Sequence, residues 1–108
     1  NILNKTKKTE QIRILEFSNI KIDLNKLIII KNNDEFKIIN TEKIILEKMI
    51  NNPGKTFSRE NIGNLINLER GISIDEIITR LRKKIEIDPK NPKFLQTIRG
   101  VGYVLWIE

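Results

Sequence analysis

Hydrophobic and polar residues alternate with the period of a β-strand in the first third of the chain. Ile20, Ile22 and Leu24 are separated by single charged residues, a spacing that places all three on one face of a strand. Similar short stretches lie on either side and are divided by turn-forming residues such as Asn32-Asn33-Asp34. The pattern predicts an antiparallel sheet of about four short strands over residues 12 to 39.

The hydrophobic period then becomes that of a helix. Four apolar residues at i, i+1, i+4 and i+5 indicate one face of a first helix, namely Ile45, Leu46, Met49 and Ile50. Asn40 or Thr41 is expected to cap the start of this helix, and Pro53-Gly54 is expected to end it. Ser58 is the expected cap of a short second helix.

The third predicted helix has the clearest start and stop signals. Ser73 and Glu76 have the spacing of a capping box, and Asp88-Pro89 stops a helix, so we expect it from Ile74 to about Ile87. The apolar residues of its buried face are spaced by four, three and four positions: Ile74, Ile78, Leu81 and Ile85.

The chain is expected to end in a β-hairpin. Residues 94–98 and 103–107 have the composition of strands, and Gly100-Val101-Gly102 between them supplies a tight turn. Residues 1–11 are polar without periodicity and predict a linker or tail. Because 108 residues are enough for one core, we expect a single folded domain over residues 12–108.

Composition narrows the function chiefly through absent residue types. The chain has no Cys and no His, which excludes a thiolate nucleophile and a Ser-His-Asp triad and removes the commonest zinc ligands. We therefore expect no catalytic residues, no metal and no cofactor. Apolar runs are far shorter than the ~20 residues that span a bilayer, and no signal peptide is visible, so a cytoplasmic location without membrane contact is expected.

The charge balance and the outer face of the third helix both favour a polyanionic partner. Lys and Arg outnumber Asp and Glu by 20 to 14, a net charge of +6 that favours nucleic acid before an anionic membrane. The side opposite the apolar stripe carries Asp75, Glu76, Thr79, Arg80 and Lys83, with Arg82 and Lys84 flanking. A short helix that leads into a longer basic one is a helix-turn-helix arrangement, and the DNA major groove admits one helix. An ordinary solvated amphipathic helix explains the same charges about equally well.

The predicted hairpin adds a second basic element. Arg99 stands beside the glycine turn, and a narrow tip flanked by arginine is suited to a minor groove, where the negative potential attracts arginine. The backbone amides of the turn and Thr97 are candidates for phosphate contacts. A purely structural hairpin is the alternative interpretation.

Together these features resemble the winged-helix output domain of OmpR/PhoB-type response regulators. The most specific motifs are Arg80-Leu81-Arg82-Lys83-Lys84-Ile85-Glu86 and Gln96-Thr97-Ile98-Arg99-Gly100-Val101-Gly102-Tyr103, and the similarity covers residues 12–107. The resemblance implies an α+β fold, a winged helix-turn-helix. Its parts are a four-stranded antiparallel N-terminal sheet, three helices and a C-terminal β-hairpin wing.

The same resemblance implies a sequence-specific, double-stranded DNA-binding output domain of a two-component response regulator that regulates transcription. It carries base contacts over to Asp75, Glu76, Thr79 and Arg80. It carries backbone contacts over to Ser73, Arg82, Lys83, Thr97 and Tyr103, and the minor-groove arginine to Arg99. It further implies tandem direct repeats as the DNA site and a phosphorylated N-terminal receiver domain outside this chain. RNA polymerase is an implied partner of the loop before the third helix.

Several positions depart from the family pattern and support a second hypothesis. Ile77 stands where the family usually has His, Ile72 where it usually has Arg, and Asn67 where Trp is frequent. These departures motivate a winged-helix protein-interaction module that docks its basic helix on an acidic protein surface and does not bind DNA. An RNA-binding domain ranks third, because exposed aromatic residues for base stacking are scarce. The DNA sequence, the regulated genes and the sign of regulation are outside what the sequence specifies.

Overall fold

The structure, a computed structural model, describes residues 12–66 and 73–107. Its strands are β1 (Ile14–Phe17), β2 (Ile20–Asp23), β3 (Ile28–Lys31), β4 (Asp34–Lys37), β5 (Thr56–Phe57), β6 (Leu95–Ile98) and β7 (Gly102–Leu105). Its helices are α1 (Asn40–Ile50), α2 (Arg59–Ile66) and α3 (Ile74–Ile85). The predicted four-stranded sheet, three helices and terminal hairpin are confirmed. The linker predicted for residues 1–11, and the departures at Asn67 and Ile72, lie outside the described residues.

The N-terminal sheet is an antiparallel meander in the order β1-β2-β3-β4. Ile22 and Ile29 lie opposite each other in the register and are both fully buried, so the inner face of the sheet is the apolar face that the alternation predicts. Asn32 and Asn33 have φ values of 51° and 73°, which fit the two-residue turns that favour asparagine. The turn predicted at these residues is therefore confirmed.

Helix α1 begins where expected but is capped differently. Its N-cap residue is Ile39, whose backbone N–H donates to Glu42 Oε1 at 3.0 Å. The expectation that Asn40 or Thr41 caps the helix is wrong, because Glu42 in the first turn already satisfies the free amide. The helix ends at Ile50, three residues before the Pro53-Gly54 turn.

The caps predicted for α2 and α3 are confirmed. Ser58 Oγ accepts from the backbone N–H of Asn61 at 3.0 Å. Ser73 Oγ accepts from the N–H of Glu76 at 3.0 Å, and Glu76 Oε1 accepts from the N–H of Ser73 at 3.4 Å. The expected extension of α3 to Ile87 is wrong, because the backbone is already extended at Glu86, with φ −85° and ψ 147°.

The second sheet has the strand order β5-β7-β6, and β5 was not expected from the sequence. Thr56 pairs with Val104 and Phe57 with Tyr103, so this two-residue strand fastens the start of α2 to the hairpin. A strand of two residues carries no measurable alternation, which is why the pattern did not predict it.

The apolar faces of the helices and the inner faces of both sheets form one core. Ile45, Leu46 and Ile50 of α1 and Leu81 and Ile85 of α3 are fully buried in it. Among residues 12–66 and 73–107, no helix is both long enough and apolar enough to cross a membrane. One side of α3 packs against the core, and the opposite side is exposed to solvent.

Candidate nucleic-acid interface

The outer face of α3 is open to solvent, as the apolar stripe predicts. The exposed residues of this face line a shallow depression, and they are Asp75, Glu76, Thr79, Arg80 and Lys83. Ile78 and Leu81 on the opposite side are 1% and 0% exposed, which fixes the rotation of the helix. Ile77 is also buried, so the apolar stripe is one residue wider than predicted.

The basic run of α3 divides between solvent and protein. Arg80 and Lys83 are exposed and form no ion pair with any residue in the described ranges. Arg82 donates from Nε to the carbonyl oxygen of Leu95 at 2.8 Å, while Lys84 Nζ lies 2.8 Å from the buried Glu42 carboxylate. The cationic surface of the helix therefore centres on two of its four basic residues.

The first turn of α3 is tied to α2 and to β7 by Asp75. Arg59 Nη2 donates to Asp75 Oδ2 at 2.9 Å, and the Tyr103 hydroxyl donates to Asp75 Oδ1. Burial raises the pKa of the Tyr103 phenol, and the hydrogen bond to Asp75 raises it further. The pKa of the Arg59 guanidinium is raised by the Tyr103 hydroxyl and then by Asp75. The three side chains form one polar cluster at the edge of the exposed face.

The hairpin lies beside the same face of α3. Thr97 Oγ1 accepts from Arg82 Nη2 at 2.6 Å, which joins β6 to the last turn of the helix. Gly100 has a φ of 75°, and the N–H of Val101 donates to the carbonyl of Ile98 at 2.9 Å to close the turn. Because Arg99 next to this turn is exposed, the second predicted basic element projects from the tip of the hairpin.

The ten predicted contact residues lie on α3, at its N-cap or on the hairpin beside it, but several already have protein partners. Ser73 and Glu76 bond to each other, and Thr79 Oγ1 donates to the carbonyl of Asp75 at 2.8 Å. Tyr103 is only 4% exposed. Their roles toward DNA stay predictions.

Two residues of this region were missed by the sequence analysis. Arg59 borders the groove between α2 and the hairpin, together with Ser58, Thr97 and the glycine turn. Lys31 of β3 donates from Nζ to the carbonyl oxygens of Lys83 at 3.0 Å and Glu86 at 2.7 Å. A cation there satisfies free carbonyls and opposes the negative end of the α3 dipole. No local pattern indicates it, since 55 residues separate the partners.

Residues 33–105 match the family of the C-terminal domains of transcriptional regulatory proteins. The chain belongs to this family. A probable transcriptional regulator, ycf27 of Guillardia theta, is 38% identical to this transcriptional regulatory domain over 97 residues. The match covers 84% of the chain but 38% of that relative, so the domain spans well under half the length of the curated relative.

Solved structures place the domain in the OmpR/PhoB type. The response regulator DrrB of Thermotoga maritima, an OmpR/PhoB homolog, matches with a TM-score of 0.79 at 29% identity, over 96% of this chain and 49% of that one. The DNA-binding domain of AdeR, crystallised with an intercistronic region, matches with a TM-score of 0.66 at 28% identity, over 87% and 100%. The predicted winged-helix fold and the role of output domain of a transcriptional regulator are confirmed. The matched family is one of transcriptional regulators and is not a known family of enzymes.

Proposed function

We propose that this domain binds double-stranded DNA sequence-specifically, as the output domain of a two-component response regulator. The observation that carries the proposal is the open basic face of α3, with Arg80 and Lys83, next to a hairpin that projects Arg99. An exposed helix held by its apolar side fits a major groove, and an arginine at a narrow tip fits the adjacent minor groove. The DNA complex of the related AdeR domain supports this assignment.

The exposed residues divide into base-reading and backbone-contacting groups. Glu76, Thr79 and Arg80 face outward from the first two turns of α3, where side chains reach base edges. Ser73, Lys83 and Thr97 lie at the margins, where contacts to phosphates position the protein on the duplex. Asp75, Arg82 and Tyr103 border the same surface and hold it to the hairpin.

The rest of the regulator is proposed from the family. A receiver domain that precedes this domain would control it by phosphorylation, the complete protein would act in the cytoplasm, and RNA polymerase would be a further partner. Two copies would bind tandem direct repeats head to tail.

The test of DNA binding is selection of bound duplexes from a random library, followed by footprinting. We expect a direct repeat with half-sites about one helical turn apart. A library without enrichment at low salt would contradict DNA binding and favour the protein-interaction module.

Replacing Arg80 with alanine should weaken specific binding by ~1–3 kcal/mol and relax the preference at one base pair. The reason is that the exposed guanidinium is the side chain best placed for a bidentate contact to guanine. Equilibrium titrations of the selected duplex and of its single-base variants measure both effects. Lys26→Ala is the matched control, because Lys26 is an exposed cation in the β2–β3 turn, away from the contact surface. Wild-type affinity and preference in Arg80→Ala would refute the base-reading role.

Replacing Lys83 with alanine should instead weaken binding to all duplexes by similar factors. A phosphate contact contributes through counterion release, so its loss reduces the slope of log K against log salt by about 1. For roughly five to eight neutralised phosphates, the wild-type slope should be about −4.5 to −7. Titrations at four salt concentrations give the slope. An unchanged slope with an altered base preference would assign Lys83 to base reading.

A further inference from the structure

We propose that Asp75 and Arg82 are positioning residues that fix the hairpin against α3 and do not themselves contact DNA. They are seven residues apart, which is two helical turns, so both project from the same flank of the helix. Asp75 reaches β7 at one end of this flank, and Arg82 reaches β6 at the other. The inference deepens the proposed function and rests on it, because the two elements that are held together are those proposed to enter adjacent grooves.

The carboxylate of Asp75 already has a partner on each oxygen. Oδ1 accepts from the hydroxyl of Tyr103, and Oδ2 accepts from Arg59 Nη2 at 2.9 Å. Tyr103 is 4% exposed whereas Asp75 is exposed, so this hydrogen bond lies at the edge of the core, and its charged acceptor strengthens it. A contact from Asp75 to a cytosine amino group would compete with these bonds and leave a buried hydroxyl without its partner.

Arg82 is held in the same way from the hairpin side. Its Nε donates to the carbonyl of Leu95 at 2.8 Å and its Nη2 to Thr97 Oγ1 at 2.6 Å. Its guanidinium lies 5.9 Å from the centroid of the Tyr103 ring, within the range of a cation–π contact. The tyrosine ring therefore lies between two fastenings, the Asp75–Tyr103 bond and the bonds of Arg82 to Leu95 and Thr97, and the Nε and Nη2 donors of Arg82 point at the protein.

These fastenings decide where the hairpin tip points. Among the described residues, the strand pairs that join the hairpin to other elements are those with the two residues of β5, and Gly100 and Val101 at the tip are exposed. Loss of either fastening would let the tip swing relative to α3 and move Arg99 away from the minor groove. The outward residues of α3 would keep their positions, so base reading in the major groove would be preserved.

The first experiment needs no DNA, and it uses the only tyrosine of the chain. In the part of the chain that the structure describes, three charged groups face the Tyr103 phenol: Arg59 from α2, and Asp75 and Arg82 from α3. Folding raises the pKa of the Tyr103 phenol above its usual 10, so the protonated phenol contributes to the stability of the fold. This contribution is fully present below pH 10 and is lost as the pH rises through the pKa of the folded protein. Alkaline titration by phenolate absorbance should show a lower midpoint in Asp75→Asn, since the negative acceptor is gone.

Glu76→Gln is the matched control for this titration. It removes a carboxylate one residue along from Asp75 that has no bond to Tyr103, and it should leave the phenol midpoint unchanged. A phenol midpoint that Asp75→Asn does not change would overturn the Asp75 fastening.

For Arg82, the measurement that needs no DNA is amide hydrogen exchange, which should be faster in β6 and β7 of Arg82→Gln and unchanged in α1. Unchanged exchange in the hairpin would overturn the Arg82 fastening.

The second experiment compares the selected duplex with one shortened by the flank beside the hairpin. Wild type should lose affinity on the shorter duplex. Asp75→Asn and Arg82→Gln should bind both duplexes about as weakly as wild type binds the shorter one, with base preference retained. Variants that lose base preference and still depend on the flank would show that these residues read DNA. If wild type binds neither duplex, the proposed function fails, while the titration and the exchange still test the fastenings.

Discussion

Replacing Glu86 with alanine should lower the free energy of unfolding by about 3–5 kcal/mol, because it leaves several buried amides without an acceptor. The Glu86 carboxylate is 1% exposed at the end of α3. Oε1 accepts from the N–H of Lys93 at 2.7 Å, and Oε2 accepts from those of Phe94 at 3.0 Å and Leu95 at 2.7 Å. These bonds turn the chain from α3 into β6, and nothing in an alanine side chain replaces them.

Urea unfolding at neutral pH, followed by circular dichroism, measures this effect. Glu86→Gln keeps an acceptor oxygen without the charge, so its loss of stability should fall between that of alanine and zero. Glu35→Ala is the control, because it removes an exposed glutamate of β4 and should change stability by no more than about 0.5 kcal/mol. A loss below about 1 kcal/mol in Glu86→Ala would mean that the three amides find water or other acceptors.

The sequence predicted those elements whose signals are local. The capping pair Ser73 and Glu76 marks the start of α3. Apolar residues spaced by four, three and four positions show which side of the helix is buried, so both the start and the buried side could be predicted. Strand β5 was missed because two residues have no period. The end of α3 was placed two residues late, because Glu86 stops the helix through amides that come seven to nine residues later in the chain.

The candidate site was predicted in outline and not in its internal bonds. Helical periodicity distinguishes the outward Arg80 and Lys83 from the buried stripe. It does not determine the conformation of the flanking Arg82 and Lys84, whose partners are Leu95 and Glu42 on other elements. A long basic side chain can extend into solvent or bond to the protein, and the neighbouring elements determine which conformation it adopts. The family resemblance implies a DNA-backbone contact for Arg82, and the structure adds bonds from its Nε and Nη2 to Leu95 and Thr97 of the hairpin, which no periodicity indicates.

Replacing Gly102 with alanine should destabilise the domain by ~3 kcal/mol or more, through a clash that cannot relax locally. A Cβ built on Gly102 lies 2.0 Å from the backbone oxygen of Phe57 and 2.8 Å from Ser58 Cα. Backbone atoms cannot rotate away as the end of a side chain does, so β5 and β7 must separate. The pairing of Phe57 with Tyr103 would then be lost, and with it the tie between α2 and the hairpin.

Gly100→Ala is the matched control, two residues away in the same turn. Gly100 has a φ of 75°, and no atom of the described residues lies within 4 Å of an added Cβ, so the substitution adds only backbone strain, about 1–2 kcal/mol. Thermal unfolding of the two variants should give a clearly larger loss for Gly102→Ala, since strain at one residue costs less than the separation of two strands. If the order is reversed, the close approach of β5 to β7 is wrong. In that case Arg59 and Ser58, which follow directly on β5, would not lie beside the hairpin, and the groove between α2 and the hairpin would lose its support.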